Sequence, residues 1–246
     1  MIHQTLVKWC KRSLLIACFA ILVGCSQQTA RSQAQDAYVF PIQPGTEEWK
    51  KLFSREAMLA ATQIPEPVLE AMSTPGLVQT VLSYPLFIDV HVYSSLQGGV
   101  DALRRDFNGI NALLKRPDAA TMLLGRYQML DAVALSDTLQ VAYIELLLAQ
   151  PEIIAQFTPP EQRELLTTML QHHEQREQLI DTYSMTTFQT STLLVGRMLH
   201  HNAVFNPIDP RVEQFLRDTT YDDEYDLRAV SHIVFDEAAC QIATLK

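Results

Sequence analysis

Positive charge is scarce in this sequence. The 246 residues include 19 Lys and Arg against 28 Asp and Glu, which gives a formal net charge of −9 at pH 7. Proteins that bind nucleic acids carry a basic surface, and anionic lipid likewise attracts basic segments. The composition therefore argues against a nucleic-acid partner and against electrostatic attachment to a membrane surface.

The motifs of common catalytic sites are absent as well. The sequence contains no Gly-x-Ser-x-Gly, no His-Glu-x-x-His, no phosphate-binding glycine loop and no Cys-x-x-Cys. It has only eight glycines, and no Asn-Gly separates two alternating apolar runs, so β-hairpins are not predicted. We assign no cofactor and no catalytic residue from a motif.

The first residues combine a short basic segment with an apolar run. Lys8, Lys11 and Arg12 precede the apolar residues 14–23. A membrane-spanning helix needs roughly 20 apolar residues, and this run has about half that length. The arrangement is typical of an export signal.

The apolar run ends in Leu22-Val23-Gly24-Cys25, which resembles the lipobox of bacterial lipoproteins at every position. The resemblance implies cleavage after Gly24 and lipidation of Cys25, with two or three acyl chains giving a lasting membrane anchor. The alternative is an ordinary signal peptide with a chance cysteine. Removal of residues 1–24, which carry three basic and no acidic side chains, changes the formal charge to −12. We expect a location in the cell envelope. The resemblance to Gram-negative lipoproteins further implies the outer membrane if the organism is Gram-negative, because Ser26, and not aspartate, follows the cysteine.

The rest of the chain divides into a tether and a domain. Residues 26–37 contain no bulky apolar side chain and cannot repay the entropy of ordering, so 25–37 are predicted to be a lipidated cysteine and flexible tether. Residues 38–246 are predicted to form the helical domain. Cys240 would be the only thiol left in it, and its helical surroundings favour a buried side chain over pairing with another chain.

Helix signals dominate residues 38–246. Thr74-Pro75, Thr158-Pro159 and Asp209-Pro210 each place a capping side chain before a proline. Apolar residues recur at helical spacing, and residues 139–149 are almost wholly apolar, which predicts a central buried helix. We therefore predict an all-α domain of about eight to ten helices, many of them short. The longest stripe is Leu96, Val100, Leu103, Phe107, Ile110 and Leu114, and a shorter one is Trp49, Leu52 and Phe53.

Residues 86–93 alternate between apolar and polar as a strand does. A lone strand cannot satisfy its backbone groups, so we predict a helix or an extended connector for Leu86 to Tyr93. This segment belongs to a block with Tyr84-Pro85, Phe107-Asn108-Gly109 and Arg116-Pro117-Asp118-Ala119. The block, roughly a third of the chain, is similar to a region of exported bacterial helical proteins of uncharacterised activity. The resemblance implies an exported helical module and transfers no site residue.

Two adjacent histidine pairs are the strongest candidates for a site. His172 with His173, and His200 with His201, could supply neutral imidazoles to zinc or copper. On a helical wheel, however, His173 joins Leu166 and Met169, and the two pairs do not converge on one point. We therefore favour core or interface histidines over a metal site.

Three further patterns are weaker. Asp89 and His91 have a spacing seen in some metallohydrolases but lack further ligands, so a satisfied buried pair is favoured. The acidic cluster before the last helix lacks the glycine of a calcium loop and fits a first helical turn. Gly98-Gly99 could bind an anion at a helix start but more simply bends the chain into the helix. The acidic cluster comprises Asp218, Asp222, Asp223, Glu224 and Asp226.

These patterns favour a lipid-anchored helical module that acts through protein contacts in the cell envelope. This hypothesis predicts an exposed apolar or aromatic patch. An enzyme or metal-binding protein using the two histidine pairs is one alternative. A protein that binds a small ligand between helices is the other.

Overall fold

The computed structural model describes residues 36–134, 136–177, 185–205, 208–220 and 224–244. Within those ranges the protein has thirteen α-helices, one 3-10 helix and no β-strand, which confirms the predicted all-α fold. Helices outnumber the eight to ten expected because several are only one or two turns long. The α-helices are α1 Glu47–Lys50, α2 Arg55–Ala61, α3 Glu66–Ala71, α4 Thr74–Leu82, α5 Leu96–Asp106, α6 Asn108–Leu114, α7 Ala119–Tyr127, α8 Thr138–Leu148, α9 Pro151–Ile154, α10 Pro159–Glu177, α11 Met185–His201, α12 Pro210–Asp218 and α13 Glu224–Thr244.

Short polar side chains begin several of these helices. Ser73 caps α4 by accepting a hydrogen bond from the Gly76 amide, one residue earlier than the Thr74 expected from sequence. Asp209 caps α12 as predicted, accepting from the Arg211 amide. The cap satisfies an amide that has no partner within the helix, so each helix start is fixed locally.

The segment that alternates like a strand folds as a 3-10 helix, Phe87–Val92. Phe87 and Val90 are buried and lie three residues apart, which is one turn of this helix type. Gly99 of α5 approaches so closely that a Cβ there would lie 2.2 Å from the Val90 carbonyl oxygen. The segment is therefore a connector held against α5 by two buried apolar side chains.

Helix α8 lies at the centre of the core. Every residue from Val141 to Leu148 is buried, which confirms the buried helix expected from the apolar run. α8 packs against α7 and α11, α11 packs against α13, and α4 packs against α6 and α7. Because α8 is apolar on all sides, one charged side chain within it, Glu145, is buried completely.

The described residues begin with Asp36, inside the segment predicted as a tether. Its carboxylate accepts hydrogen bonds from the Ser73 amide (2.7 Å) and hydroxyl (2.8 Å) at the start of α4. The predicted signal peptide 1–24, Cys25 and residues 26–35 lie outside the described residues. Across the described ranges, no helix is both long and apolar enough to cross a membrane.

Two expectations about side-chain burial were wrong. Cys240 is exposed on α13, although its sequence context favoured a buried thiol. Phe53 is 92% exposed, although it continues the apolar stripe of Trp49 and Leu52. Phe53 lies in the connection between α1 and α2, where the helical spacing of that stripe no longer applies.

Candidate functional site

The two histidine pairs lie in different surroundings. His172 and His173 are buried in the core, 9% and 8% exposed, as the preferred interpretation expected. His200 and His201 are exposed in the last turn of α11, beyond the core against which Leu199 packs. The structure does not bring the four imidazoles together, and the described residues contain no group of three or more His, Cys, Asp or Glu arranged to hold a metal ion.

The buried pair borders a charged network centred on Glu145. The Tyr127 hydroxyl donates to Glu145 Oε1 (2.8 Å), and Thr190 Oγ1 donates to Oε2 (2.5 Å). Both terminal nitrogens of Arg176 donate to Oε1 at 3.3 Å. A buried carboxylate needs such partners, because desolvation without them costs several kcal/mol. The network joins α7, α8, α10 and α11.

His172 extends this network by one hydrogen bond. Its Nδ1 lies 2.9 Å from the Tyr127 hydroxyl. Because that hydroxyl gives its single proton to Glu145, we assign His172 the tautomer whose Nδ1–H donates to Tyr127. Burial, with the charge of Glu145 next, raises the pKa of Tyr127 well above its ordinary value. The phenol is therefore a neutral bridge between the imidazole and the carboxylate.

His173 is enclosed by aromatic rings instead. Its ring stacks on Phe235, with centroids 3.9 Å apart and planes 6° apart, and meets Phe188 edge-on at 6.1 Å. Burial lowers the pKa of both buried histidines to about 4, with Arg176 adding to the effect on each and His232 acting on His173. At neutral pH His173 is therefore uncharged, and its 3.9 Å contact with Glu177 is not an ion pair.

The exposed pair lines a surface cleft of about 420 Å³ between α9, α11 and α12. Volumes of roughly 300 to 1,000 Å³ are usual for small-ligand sites. None of the residues of the Glu145 network lines this cleft. The lining residues are Pro151, Ile154, Arg197, His200, His201, Ile208, Glu213, Leu216 and Arg217.

Arg197 lines the cleft and is half-buried. Its Nη1 donates to Gln97 Oε1 (2.7 Å) and to the Ala149 carbonyl (3.0 Å), which ends α8. Both acceptors are neutral, and burial lowers the pKa of Arg197 from its ordinary value. The guanidinium still carries its charge at neutral pH, since arginine is not deprotonated in proteins. The cleft therefore contains a partly desolvated cation.

The weaker sequence candidates have ordinary structural roles. Asp89 does not pair with His91 as expected: it binds Arg55 (2.5 Å), while His91 lies beside Tyr143. Burial lowers the pKa of His91. Gly98 donates its amide to the Ser95 cap, so the glycines serve the helix start.

The acidic cluster lies only partly within the described residues. Asp218 pairs with Arg217 (3.2 Å), and Asp226 is exposed. Asp222 and Asp223 lie outside the described residues, and the side chain of Glu224 is likewise not described. No calcium site is built by the part that is described.

Four exposed apolar side chains lie in the two chain segments that the Arg55–Asp89 ion pair joins. We call this group the Phe53 patch, and it comprises Phe53 (92% exposed), Val92 (75%), Ile88 (47%) and Tyr93 (37%). Phe53 is two residues from Arg55, Ile88 adjoins Asp89, and Val92 lies one 3-10 turn beyond Asp89. Tyr93 is close enough to influence the pKa of Arg55. The sequence indicated such a patch only as a general expectation and gave none of its members.

Comparisons of the chain with models of known protein families, with curated proteins and with solved structures found no match.

Proposed function

We propose that this chain is a lipid-anchored helical module of the bacterial cell envelope that binds a partner protein through the Phe53 patch. Residues 1–24 direct export, Cys25 carries the lipid, and the helical domain presents the patch to its partner. The observation that carries the binding role is the exposure of Phe53 and its three apolar neighbours.

Exposed aromatic residues in a group favour an interface. A Phe side chain that is 92% exposed leaves most of its apolar area in water, and burying it would contribute roughly 1.5 to 3 kcal/mol. Three more exposed apolar side chains, in the segment that Asp89 links to Arg55, extend the area that a partner could cover. Groups of this kind are typical of protein contact surfaces, in which a few large side chains supply most of the binding energy.

Charge favours a protein over a membrane as the partner. Arg55, the cation beside the patch, already pairs with Asp89 (2.5 Å) and with Asp106 (3.2 Å). Residues 25–246 as a whole are acidic, with a formal charge of −12. Anionic lipid would repel such a surface, whereas a partner protein needs only apolar complementarity and a matching rim.

The anchor rests on the lipobox resemblance of Leu22-Val23-Gly24-Cys25. Thioether-linked chains contribute about 0.8 kcal/mol per buried methylene, so two or three of them hold the protein on the membrane. Metabolic labelling with a palmitate analogue tests this step. The wild-type protein should incorporate the label, and Cys25→Ser should abolish incorporation and cause the unprocessed form to accumulate. Label retained in Cys25→Ser would contradict lipidation at this residue.

The binding role is tested by crosslinking in native membranes with the full lipidated chain. A photoreactive amino acid at position 92 should crosslink one partner in a stoichiometric complex that survives purification. Phe53→Ser should reduce that crosslink at least tenfold, because it removes the largest apolar side chain of the patch. Thermal unfolding should change little, since Phe53 makes few contacts to lose.

Met129→Ser is the matched control. Met129 is 67% exposed but lies after α7, outside the two chain segments that carry the patch. It should leave the crosslink unchanged. Equal crosslinking by wild type and Phe53→Ser would remove the patch from the proposal. Loss of binding to protein-free vesicles in Phe53→Ser, with no partner crosslinked, would make the patch a membrane contact.

A further inference from the structure

The cleft that Arg197 lines combines apolar side chains with an excess of basic ones. Ile154, Ile208 and Leu216 supply apolar surface, and Arg197 lines the same cleft. Leu216 packs directly on α11, because a Cβ at Gly196 would lie 2.9 Å from its Cδ2 atom. Leu216 is therefore held against the helix that carries Arg197, and a ligand in the cleft would contact both.

The cleft is basic although the chain is acidic. Among the charged or ionisable lining side chains, Arg197, Arg217, His200 and His201 face a single acid, Glu213. Arg217 is exposed and paired with Asp218 (3.2 Å). The cation that remains for a ligand is therefore Arg197.

Arg197 keeps donors free for a ligand. In the described part of the chain, Arg197 donates two hydrogen bonds, and both come from Nη1. Its Nη2 and Nε donate none there. No carboxylate forms an ion pair with it there. The acid that acts on it through space is Asp101, which instead accepts from Gln97 Nε2 (2.8 Å). The hydrogen bond to Ala149 caps the end of α8 and gives Nη1 a structural role. Among the described contacts, Nη2 and Nε have no such role.

We propose that this cleft binds a small carboxylate with an apolar body. The carboxylate accepts from the Nη2–Nε edge of Arg197, in the bidentate geometry that a guanidinium offers. The apolar body lies against Ile154, Ile208 and Leu216. His200 and His201 at the rim add hydrogen-bond donors. Binding neutralises a partly desolvated cation, which gives a carboxylate an advantage over a neutral molecule of the same shape.

The test compares 3-phenylpropanoate with 3-phenylpropanamide, which has nearly the same shape and no charge. Both are titrated calorimetrically into the full lipidated chain in nanodiscs, with empty nanodiscs as the blank. The carboxylate should bind at least tenfold more tightly than the amide, a difference of about 1.4 kcal/mol. Equal affinities, or no binding of the carboxylate, would overturn the proposal.

Variants assign the charge to its residue. Arg197→Gln should weaken the carboxylate at least tenfold and leave the amide unchanged. Arg217→Gln, which removes a lining arginine that is already paired, should weaken the carboxylate less than threefold. Arg197→Lys keeps the charge and a hydrogen-bond donor, so it is the second variant if the glutamine variant unfolds, and it should bind with intermediate affinity. Equal weakening by Arg197→Gln and Arg217→Gln would show that no single anchor exists.

Discussion

Acidification between pH 7 and pH 5 should destabilise this protein through two buried histidines. The pKa of His172 and of His173 falls from 6.5 to about 4 on folding, chiefly because burial disfavours the charged imidazolium. The positive charge of Arg176 acts in the same direction on both. Asp131 near His172 and Asp236 near His173 oppose the shift only partly.

Whether acid lowers or raises the free energy of unfolding depends on which state, folded or unfolded, binds more protons. Between pH 6.5 and pH 4 an unfolded chain protonates these imidazoles and the folded protein does not, so stability falls as the pH falls. The stabilising effect of the neutral histidines is complete above pH 6.5. One histidine with these pKa values lowers the free energy of unfolding by about 2 kcal/mol on going from pH 7 to pH 5. Together the pair should lower it by about 3 to 4 kcal/mol, a large part of an ordinary domain's 5 to 15 kcal/mol.

Urea denaturation at pH 7, 6 and 5 measures this change. Carboxyl groups have ordinary pKa values near 4, so they contribute little above pH 5. His172→Gln is neutral at every pH, so its loss between pH 7 and pH 5 should be about 2 kcal/mol smaller than that of the wild type. His201→Gln, at an exposed site, should keep the full wild-type loss. If His172→Gln and wild type lost equal stability, the burial argument would be refuted.

Three further predictions concern packing and exposure. Glu145→Gln removes the carboxylate to which Arg176 donates, and chemical denaturation should show that the free energy of unfolding falls by about 3 to 5 kcal/mol. The double variant Glu145→Gln with Arg176→Met should lose less than the sum of the two single losses. Gly99→Ala places a methyl group 2.2 Å from a carbonyl oxygen of the 3-10 helix and should cost at least about 1 to 3 kcal/mol, whereas Gly125→Ala, with nothing within 4 Å, should raise the melting temperature slightly. Cys240 is exposed, so a maleimide should label it in the folded protein without denaturant, and protection of this thiol would contradict the described α13.

Local sequence signals predicted the helical fold because helix starts are local. Asp209 before Pro210, for example, needs only its own backbone to form a cap. The Leu139 to Ala149 run predicted a buried helix because a helix that is apolar on all sides has no face to expose. The same reasoning fails where the chain leaves a helix. Phe53 follows the end of α1, so helical periodicity does not determine which way its side chain points, and the burial predicted from that periodicity was wrong.

The candidate sites were harder to predict because they depend on distant contacts. Glu145 is the single charge in an apolar run, which indicates that it needs a partner. Arg176 and Thr190, however, lie 31 and 45 residues away, and no spacing rule connects them. The cleft joins Arg197 with side chains of α9 and α12, so only the fold identifies it. The two histidine pairs also differ for this reason. Both are His-His in sequence, but tertiary contacts bury His172 and His173 and leave His200 and His201 exposed.

The Glu145 network explains how the apolar helix α8 adopts one orientation. Hydrophobic burial alone would accept several rotations of a helix that is apolar on every side, since each rotation buries a similar area. The Glu145 carboxylate contacts Tyr127, Arg176 and Thr190 together, and only one rotation of α8 allows all three contacts. That orientation sets α8 against α11, and the Ala149 carbonyl at its end receives the hydrogen bond from Arg197. The buried charges thus fix the helix whose last carbonyl holds Arg197, although they lie outside the cleft, and loss of Glu145 should alter the cleft through α8 and α11.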